Sequence, residues 1–207
     1  MFSFNKKGGL LGIDISSSAV KLIELSHKGG TYRVDSYGVA SLPEGAAYER
    51  DIVEADPVGE AIKRVLKQSR TKTRRCALGI PSSMAVNKVI AMPASIPASE
   101  MEAQVTLEAE QYIPYPMEEV NFDFEVLGPS EQAPEMIDVL LAATRTENVE
   151  IRLAAAEMAG LNVDIVDLES HAIELLFSTL VDDVVKHSTV ALVDFGSSMT
   201  GVNVFEN

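Results

Sequence analysis

The period of the apolar positions changes several times along the chain, and each change marks an element. "LLGIDISSSAVKLIEL" holds two short apolar runs, Leu10–Asp14 and Ala19–Leu25, separated by small residues. They predict two strands joined by a tight turn. "TYRVDSYGVASL" (Thr31–Leu42) follows the turn signal "KGG" and predicts a third strand. The period then becomes helical in "DPVGEAIKRVLKQS". Val58, Ala61, Ile62, Val65 and Leu66 fall on one face there, with Pro57 in the first turn. "CALGIP" is apolar almost throughout and predicts a strand buried on both faces.

After Pro81 the pattern changes character. "NKVIAMP" (Asn87–Pro93) predicts a strand closed by proline. "SEMEAQVTLEAEQYIPYP" predicts a helix opened by a capping box, Ser99 with Glu102, and ended by Pro114. Met101, Val105, Ala109 and Tyr112 form its apolar face. "NFDFEVL" alternates, with Phe122, Phe124 and Val126 to one side, which describes a sheet with one wet face. "MIDVLLAAT" is its expected partner strand, and "TENVEIRLAAAEMAGL" predicts a helix stopped by Gly160. "NVDIVDLE", the helix "ESHAIELLFSTLVDD" and "STVALVDFG" return to the doubly covered style of the opening, and "SSMTGVNVFEN" adds a turn and one more strand.

Composition narrows the function classes. With 46% hydrophobic and 23% charged residues, the 207-residue chain is long enough for one domain or two small ones with a real core. A net charge of -14 argues against a general nucleic-acid binder, which needs a basic face to displace counterions. Cys76 is the only cysteine, so no internal disulfide forms, which fits a reducing compartment. The opening "MFSFNKKGG" does not make a signal peptide, its lysines following the aromatics. No uncharged stretch approaches the roughly 18 residues of a membrane helix. The expectation is a soluble protein that meets a membrane only through a partner.

Two stretches repeat one pattern. Asp14-Ile15-Ser16-Ser17-Ser18 and Asp194-Phe195-Gly196-Ser197-Ser198 each place an Asp at a strand end, then small residues, then an apolar return strand. Small residues let backbone N–H groups approach a phosphate. A carboxylate beside them can hold the water shell of a phosphate-bound Mg²⁺, and Lys21 could reach a phosphate oxygen as a point charge. Asp and Ser are also ordinary turn residues, so either turn alone admits a plain structural reading. Asp194-Phe195-Gly196 matches a protein-kinase triplet, but no Gly-rich loop or His-Arg-Asp lies upstream. The triplet therefore does not mark a protein kinase.

The residues carry a resemblance. "GIDISSSAVKLIEL" and "ALVDFGSSMTGVNV" resemble the first and second phosphate hairpins of the actin-like ATPase superfamily. "DLESHAIELL" resembles its connecting segment. With "EAEQYIPYPMEEVNFDFEVLG" and "DVLLAATRTENVE", all 207 residues resemble the PilM family of cytoplasmic type IV pilus assembly proteins, relatives of the division protein FtsA. "QYIPYP" is the most family-specific stretch.

The resemblance implies an α/β, ribonuclease H-like first lobe with an inserted α+β subdomain of the FtsA and PilM type, the chain breaking off where the second lobe starts. The implied boundaries are 1–83 for the first part of lobe 1, 84–160 for the inserted subdomain, 161–185 for the return strand and connecting helix, and 186–207 for the start of lobe 2. It further implies ATP and Mg²⁺ in a cleft. Asp14 and Asp194 would face the metal; Ser16, Ser17, Ser18, Gly196, Ser197, Ser198 and Thr200 would hold phosphates; Lys21 falls on a phosphate-contacting lysine. Glu169 falls on the acidic position near the attacking water, and a helix-end Glu is equally at home as a dipole partner. The first loop has serines where many relatives have glycine.

The function implied is an ATP-binding adaptor of the type IV pilus inner-membrane complex, serving pilus biogenesis and twitching motility. It would be cytoplasmic and peripheral to the inner membrane, docking the N-terminal peptide of the membrane-spanning partner PilN beside the inserted module. Tyr112 and Tyr115 could wall that peptide or be half-buried rings at a helix stop. A filament-forming ATPase of the actin and FtsA kind, or a small-molecule kinase of the same superfamily, is the alternative, and self-association stays open. Without the later segments of the second lobe, ATP would bind weakly and not be turned over. Lys63, Arg64, Lys67, Arg70, Lys72, Arg74 and Arg75 form a basic run that could face anionic lipid or be a solvated helix end. His27, His171 and His187 show no metal-ligand spacing, and no G-x-S-x-G elbow occurs.

Overall fold

The computed structural model describes residues 9–131, 133–180 and 188–206. The opening eight residues, the expected end of the last helix at 181–183 and His187 lie outside them. The elements run β1 (Leu11–Ile15), β2 (Ala19–Lys28), β3 (Thr31–Ser41), a small hairpin of β4 (Ala47–Tyr48) and β5 (Asp51–Ile52), α1 (Ala55–Ser69), β6 (Arg75–Ile80), β7 (Ala85–Pro93), α2 (Ala98–Ala109), β8 (Val120–Pro129), β9 (Met136–Arg145), α3 (Thr146–Met158), β10 (Asn162–Leu168), α4 (Glu169–Leu180), β11 (Val190–Phe195) and β12 (Thr200–Phe205).

They form two compact units. One joins the chain up to Gly79 with the chain from Glu150 onward; the other is Ile80–Val149. Its upper limit falls at 149 rather than 160 because α3 packs with the first unit. Ala155 and Ala156 are fully buried in that core, with Ile151 and Leu153 against it.

The first unit is built on a five-stranded sheet in the order β10-β6-β1-β2-β3. β1 runs antiparallel to β2 and parallel to β6, and β2 runs antiparallel to β3. This mixed sheet with helices is the ribonuclease H-like α/β lobe that the resemblance implied. Alternation along β1 and β2 sends Leu11, Ile13, Ile15, Val20 and Leu22 inward, where they meet Val58, Ala61, Ile62 and Val65 of α1. Gly59 allows α1 and α3 to approach: a Cβ there would lie 3.1 Å from the Ala155 carbonyl oxygen. "CALGIP" proves to alternate as well, with Cys76, Leu78 and Ile80 buried and the residues between them only partly so.

β11 and β12 form a separate two-stranded sheet. The doubly covered strand expected from "STVALVDFG" is not seen: Leu192 and Val193 are each 43% exposed. The contact that covers part of this hairpin comes from α4, whose Phe177 ring stacks on Phe205 at 4.0 Å between centroids.

The second unit is a three-stranded antiparallel sheet, β7-β9-β8, with α2 against it. Val139 and Leu141 of the central strand are fully buried with Val105 and Ala109. Phe122 and Phe124 pack against this core as expected, but a register shift after Val126 leaves Val126 44% exposed. The Ser99–Glu102 capping box does not form. The helix starts at Ala98 with Pro97 as its cap, so Ser99 sits inside the first turn. The helix also ends at Ala109, five residues before Pro114, and continues as tight turns. That swing buries Ile113 and leaves Tyr112 at the surface.

Candidate functional site

The site residues lie in the first unit and come from four places in the sequence. The first turn closes itself: the Ser16 N–H donates to the Ala19 carbonyl at 2.9 Å and the Ser16 hydroxyl to the same oxygen at 3.0 Å. The second turn closes likewise, the Gly196 N–H donating to the Met199 carbonyl at 3.0 Å. A Cβ on Gly196 would come within 2.7 Å of that oxygen, so the turn needs glycine for its own tightness. Ser16 and Gly196 therefore serve their turns, and Thr200 pairs with Phe195 in the β11–β12 ladder.

The turns meet through the remaining serines. The Ser17 hydroxyl lies 2.6 Å from that of Ser198 and 3.2 Å from that of Ser197, whose hydroxyl also donates to Ser18 at 3.2 Å. Four hydroxyls from segments about 180 residues apart thus share one exposed spot. Hydroxyls both donate and accept, so such a cluster can reorient to donate to an anion.

Each strand-end carboxylate has its own cation. Lys21 stands opposite Asp14 in the β1–β2 ladder and its ammonium donates to Asp14 at 2.8 Å. Asp194 stands opposite Gly201, which offers no side chain, and Arg50 supplies the cation instead. The Arg50 guanidinium forks, Nη1 to Glu169 and Nη2 to Asp194 at 3.0 Å. Glu169 is the first residue of α4, and its side chain is only 17% exposed. Burial pushes its carboxyl above the ordinary glutamate range; Arg50 opposes the push, Asp14 adds to it and Arg152 opposes it. Gly79 leaves room for the Glu169 stem, since a Cβ there would lie 3.1 Å from its Cγ.

Nothing in the sequence around Arg50 marks it as a site residue. It sits in the β4–β5 turn, where both central residues have positive φ, 47° at Glu49 and 71° at Arg50. Two-residue hairpins with this backbone are ordinarily marked by Asn-Gly or Gly-Gly, and "YERD" carries no such mark. The left-handed conformation costs roughly 1–2 kcal/mol for each residue with a Cβ. The buried Arg152 holds the turn from below, its Nη2 donating to the Arg50 carbonyl at 2.9 Å.

In the second unit, Tyr112 and Tyr115 are both partly exposed and each lies near a cation. Lys88 Nζ is 4.0 Å from the Tyr112 ring centre and Arg145 Cζ is 5.4 Å from that of Tyr115. Lys88 and Arg145 had no signal in the sequence. In the basic run, Lys63 pairs with Glu60 and Arg75 with Asp164, Arg64 donates to the Ser41 carbonyl, and Arg74 donates to the Thr71 and Thr73 carbonyls. Those contacts describe a helix end tied to its neighbours.

Among the described residues no group of three His, Cys, Asp or Glu is placed to hold a metal ion, and no helix is long and apolar enough to cross a membrane. A family model described as type IV pilus assembly protein PilM matches residues 12–207. The solved "PilM-PilN type IV pilus biogenesis complex" contains a chain 29% identical, with a TM-score of 0.79 over 94% of the present chain. The present chain spans 57% of that one. The cytoplasmic domain of EpsL, an inner-membrane component of the type II secretion system of Vibrio cholerae, shares the fold at 15% identity, with a TM-score of 0.55 over 80% of this chain and 59% of that one. The chain belongs to the family of type IV pilus assembly protein PilM.

Proposed function

We propose that the protein is a nucleotide-binding adaptor of type IV pilus assembly, in which Mg-ATP orders the first unit and the second unit receives the N-terminal peptide of a PilN-type partner. It works at the cytoplasmic face of the inner membrane, reached through that partner. The observation that carries the nucleotide half is the meeting of the two small-residue turns, hydroxyl to hydroxyl, with a carboxylate at the end of each leading strand.

The donor set fits a metal–phosphate pair better than a bare metal. Mg²⁺ keeps most of its waters and is usually held by one or two carboxylates together with phosphate oxygens. Asp14 and Asp194, 38% and 58% exposed, are open to such a hydrated ion. Ser17, Ser18, Ser197 and Ser198 would exchange their mutual contacts for phosphate oxygens, and Lys21 would add a point charge. Bound Mg-ATP supplies the polyphosphate charge that draws these groups together. Glu169, beside them at the start of α4, is the candidate for orienting an attacking water.

The partner half rests on family membership and on the half-exposed Tyr112 and Tyr115 with their cations, a surface that offers apolar faces to a peptide. The test is calorimetry with Mg-ATP and, separately, with a peptide from the N-terminus of the PilN-type partner. Asp14→Ala and Asp194→Ala should each weaken the first titration, and Tyr115→Ala the second. Unaltered affinities in all three variants would reject the proposal.

A further inference from the structure

We propose that Arg50 is the resident counter-cation of the candidate site: its guanidinium, anchored on Glu169, occupies the Asp194 carboxylate that a phosphate-bound divalent cation would engage, so metal binding has to displace that arm. The inference rests on the metal–phosphate reading above.

The geometry separates a fixed part from a movable one. The backbone of Arg50 is held by the two positive-φ residues of its turn and by the Arg152 guanidinium on its carbonyl. The side chain ends in a fork whose two arms meet different surroundings. The Glu169 arm is buried, whereas the Asp194 arm faces a carboxylate 58% exposed. The Asp194 arm is therefore the one that a hydrated cation reaches first. Nothing on the Asp194 hairpin itself replaces it, because the cross-strand neighbour is Gly201. Arginine keeps its charge at every physiological pH, so loss of a proton cannot free these carboxylates. A competing cation can. A turn with unfavourable backbone angles, retained at a cluster of charges, is where a working role for strain is expected.

The consequence is a threshold. While Arg50 is seated, three nearby carboxylates (Asp14, Glu169 and Asp194) are already balanced by Lys21, Arg50 and Arg152, and a free divalent ion gains little. A metal arriving with the negative charge of a polyphosphate compensates the displaced guanidinium as well as the carboxylates. Arg50 thereby favours metal-bound nucleotide over metal alone.

The experiment is a Mn²⁺ titration without nucleotide, read by the thermal unfolding midpoint of the protein and its Arg50 variants. In Arg50→Met the Mn²⁺ concentration giving half the stabilisation should fall about tenfold, the weight of one charge-assisted contact. Arg50→Lys, which keeps the charge but not the fork, should lie between the two. A requirement unchanged or raised in Arg50→Met overturns the inference. Should that variant not fold cooperatively, Arg50→Gln carries the same expectation and the same contrary result. A second arm titrates ATP with excess Mn²⁺ into the protein and into Asp194→Asn. Equal affinities there would reject the nucleotide reading, while a lowered Mn²⁺ requirement in the first arm would still support displacement of Arg50.

Discussion

The two hairpins of the candidate site share a sequence pattern and differ in almost everything around it. The β1–β2 hairpin is part of a five-stranded sheet, and its inward residues are sealed by α1. The β11–β12 hairpin stands as two strands whose faces are largely open. The first carries its own counter-cation, Lys21 directly opposite Asp14; the second has Gly201 opposite Asp194 and borrows Arg50 from a turn 144 residues away. A turn motif therefore specifies its local geometry and its carboxylate. Cover and charge balance are set by whatever else the fold brings there.

The largest expected effect breaks the comparison at its packing. Leu22→Ala, on the return strand of the first hairpin and 3% exposed, should lose about 2–5 kcal/mol in denaturant unfolding. Val202→Ala, on the return strand of the second and 60% exposed, should stay within about 0.5 kcal/mol. Equal losses would mean the second hairpin is covered as tightly as the first.

A smaller effect sharpens the charge comparison. Gly201→Lys gives the second hairpin the cross-strand cation of the first, and a Cβ at Gly201 meets nothing nearer than the Asp194 Cβ at 3.8 Å. In an Arg50→Met background it should restore part of the lost thermal stability, about 0.5–1 kcal/mol for a partly exposed pair. In the otherwise unaltered protein it should add almost nothing, because Asp194 is already paired. Equal gains in both backgrounds would show that Arg50 is not the counter-ion.

The last of these leaves stability untouched. Cys76 lies beside Leu11 in the sheet that holds the first hairpin, and its thiol is pushed up to about 11, chiefly by burial and further by the Asp164 charge. A raised thiol pKa means fewer thiolates at neutral pH, so alkylation near pH 8 should be slow in the folded protein and fast in denaturant. Rapid native labelling would show that the sheet opens around β6.

Much of this fold was legible in the sequence. Period 2 in "NFDFE", helical spacing from Val58 to Leu66 and Gly160 as a stop all report local preferences that the tertiary structure kept. The failures have separate causes. Whether "VALVDF" is buried depends on neighbours that lie elsewhere in the chain, and its apolar composition could not say which faces would be covered. Ser99 obeys a capping rule only if the helix starts two residues later than it does. Arg50 was invisible for a more specific reason: its turn adopts a glycine-type backbone without glycine, so the residue that completes the charge balance of the site carried no local signal.

The central claim is that the two hairpins form one phosphate and metal site. The most direct measurement is a calorimetric double-mutant cycle for Mg-ATP with Asp14→Ala, Asp194→Ala and the pair together. If both carboxylates serve one metal–phosphate group, each single variant should weaken binding by about tenfold or more, and the pair should lose clearly less than the product of the two, as coupled residues do. Losses that multiply would place the carboxylates at independent sites. Mg-ATP affinity unchanged in both single variants would contradict the account outright.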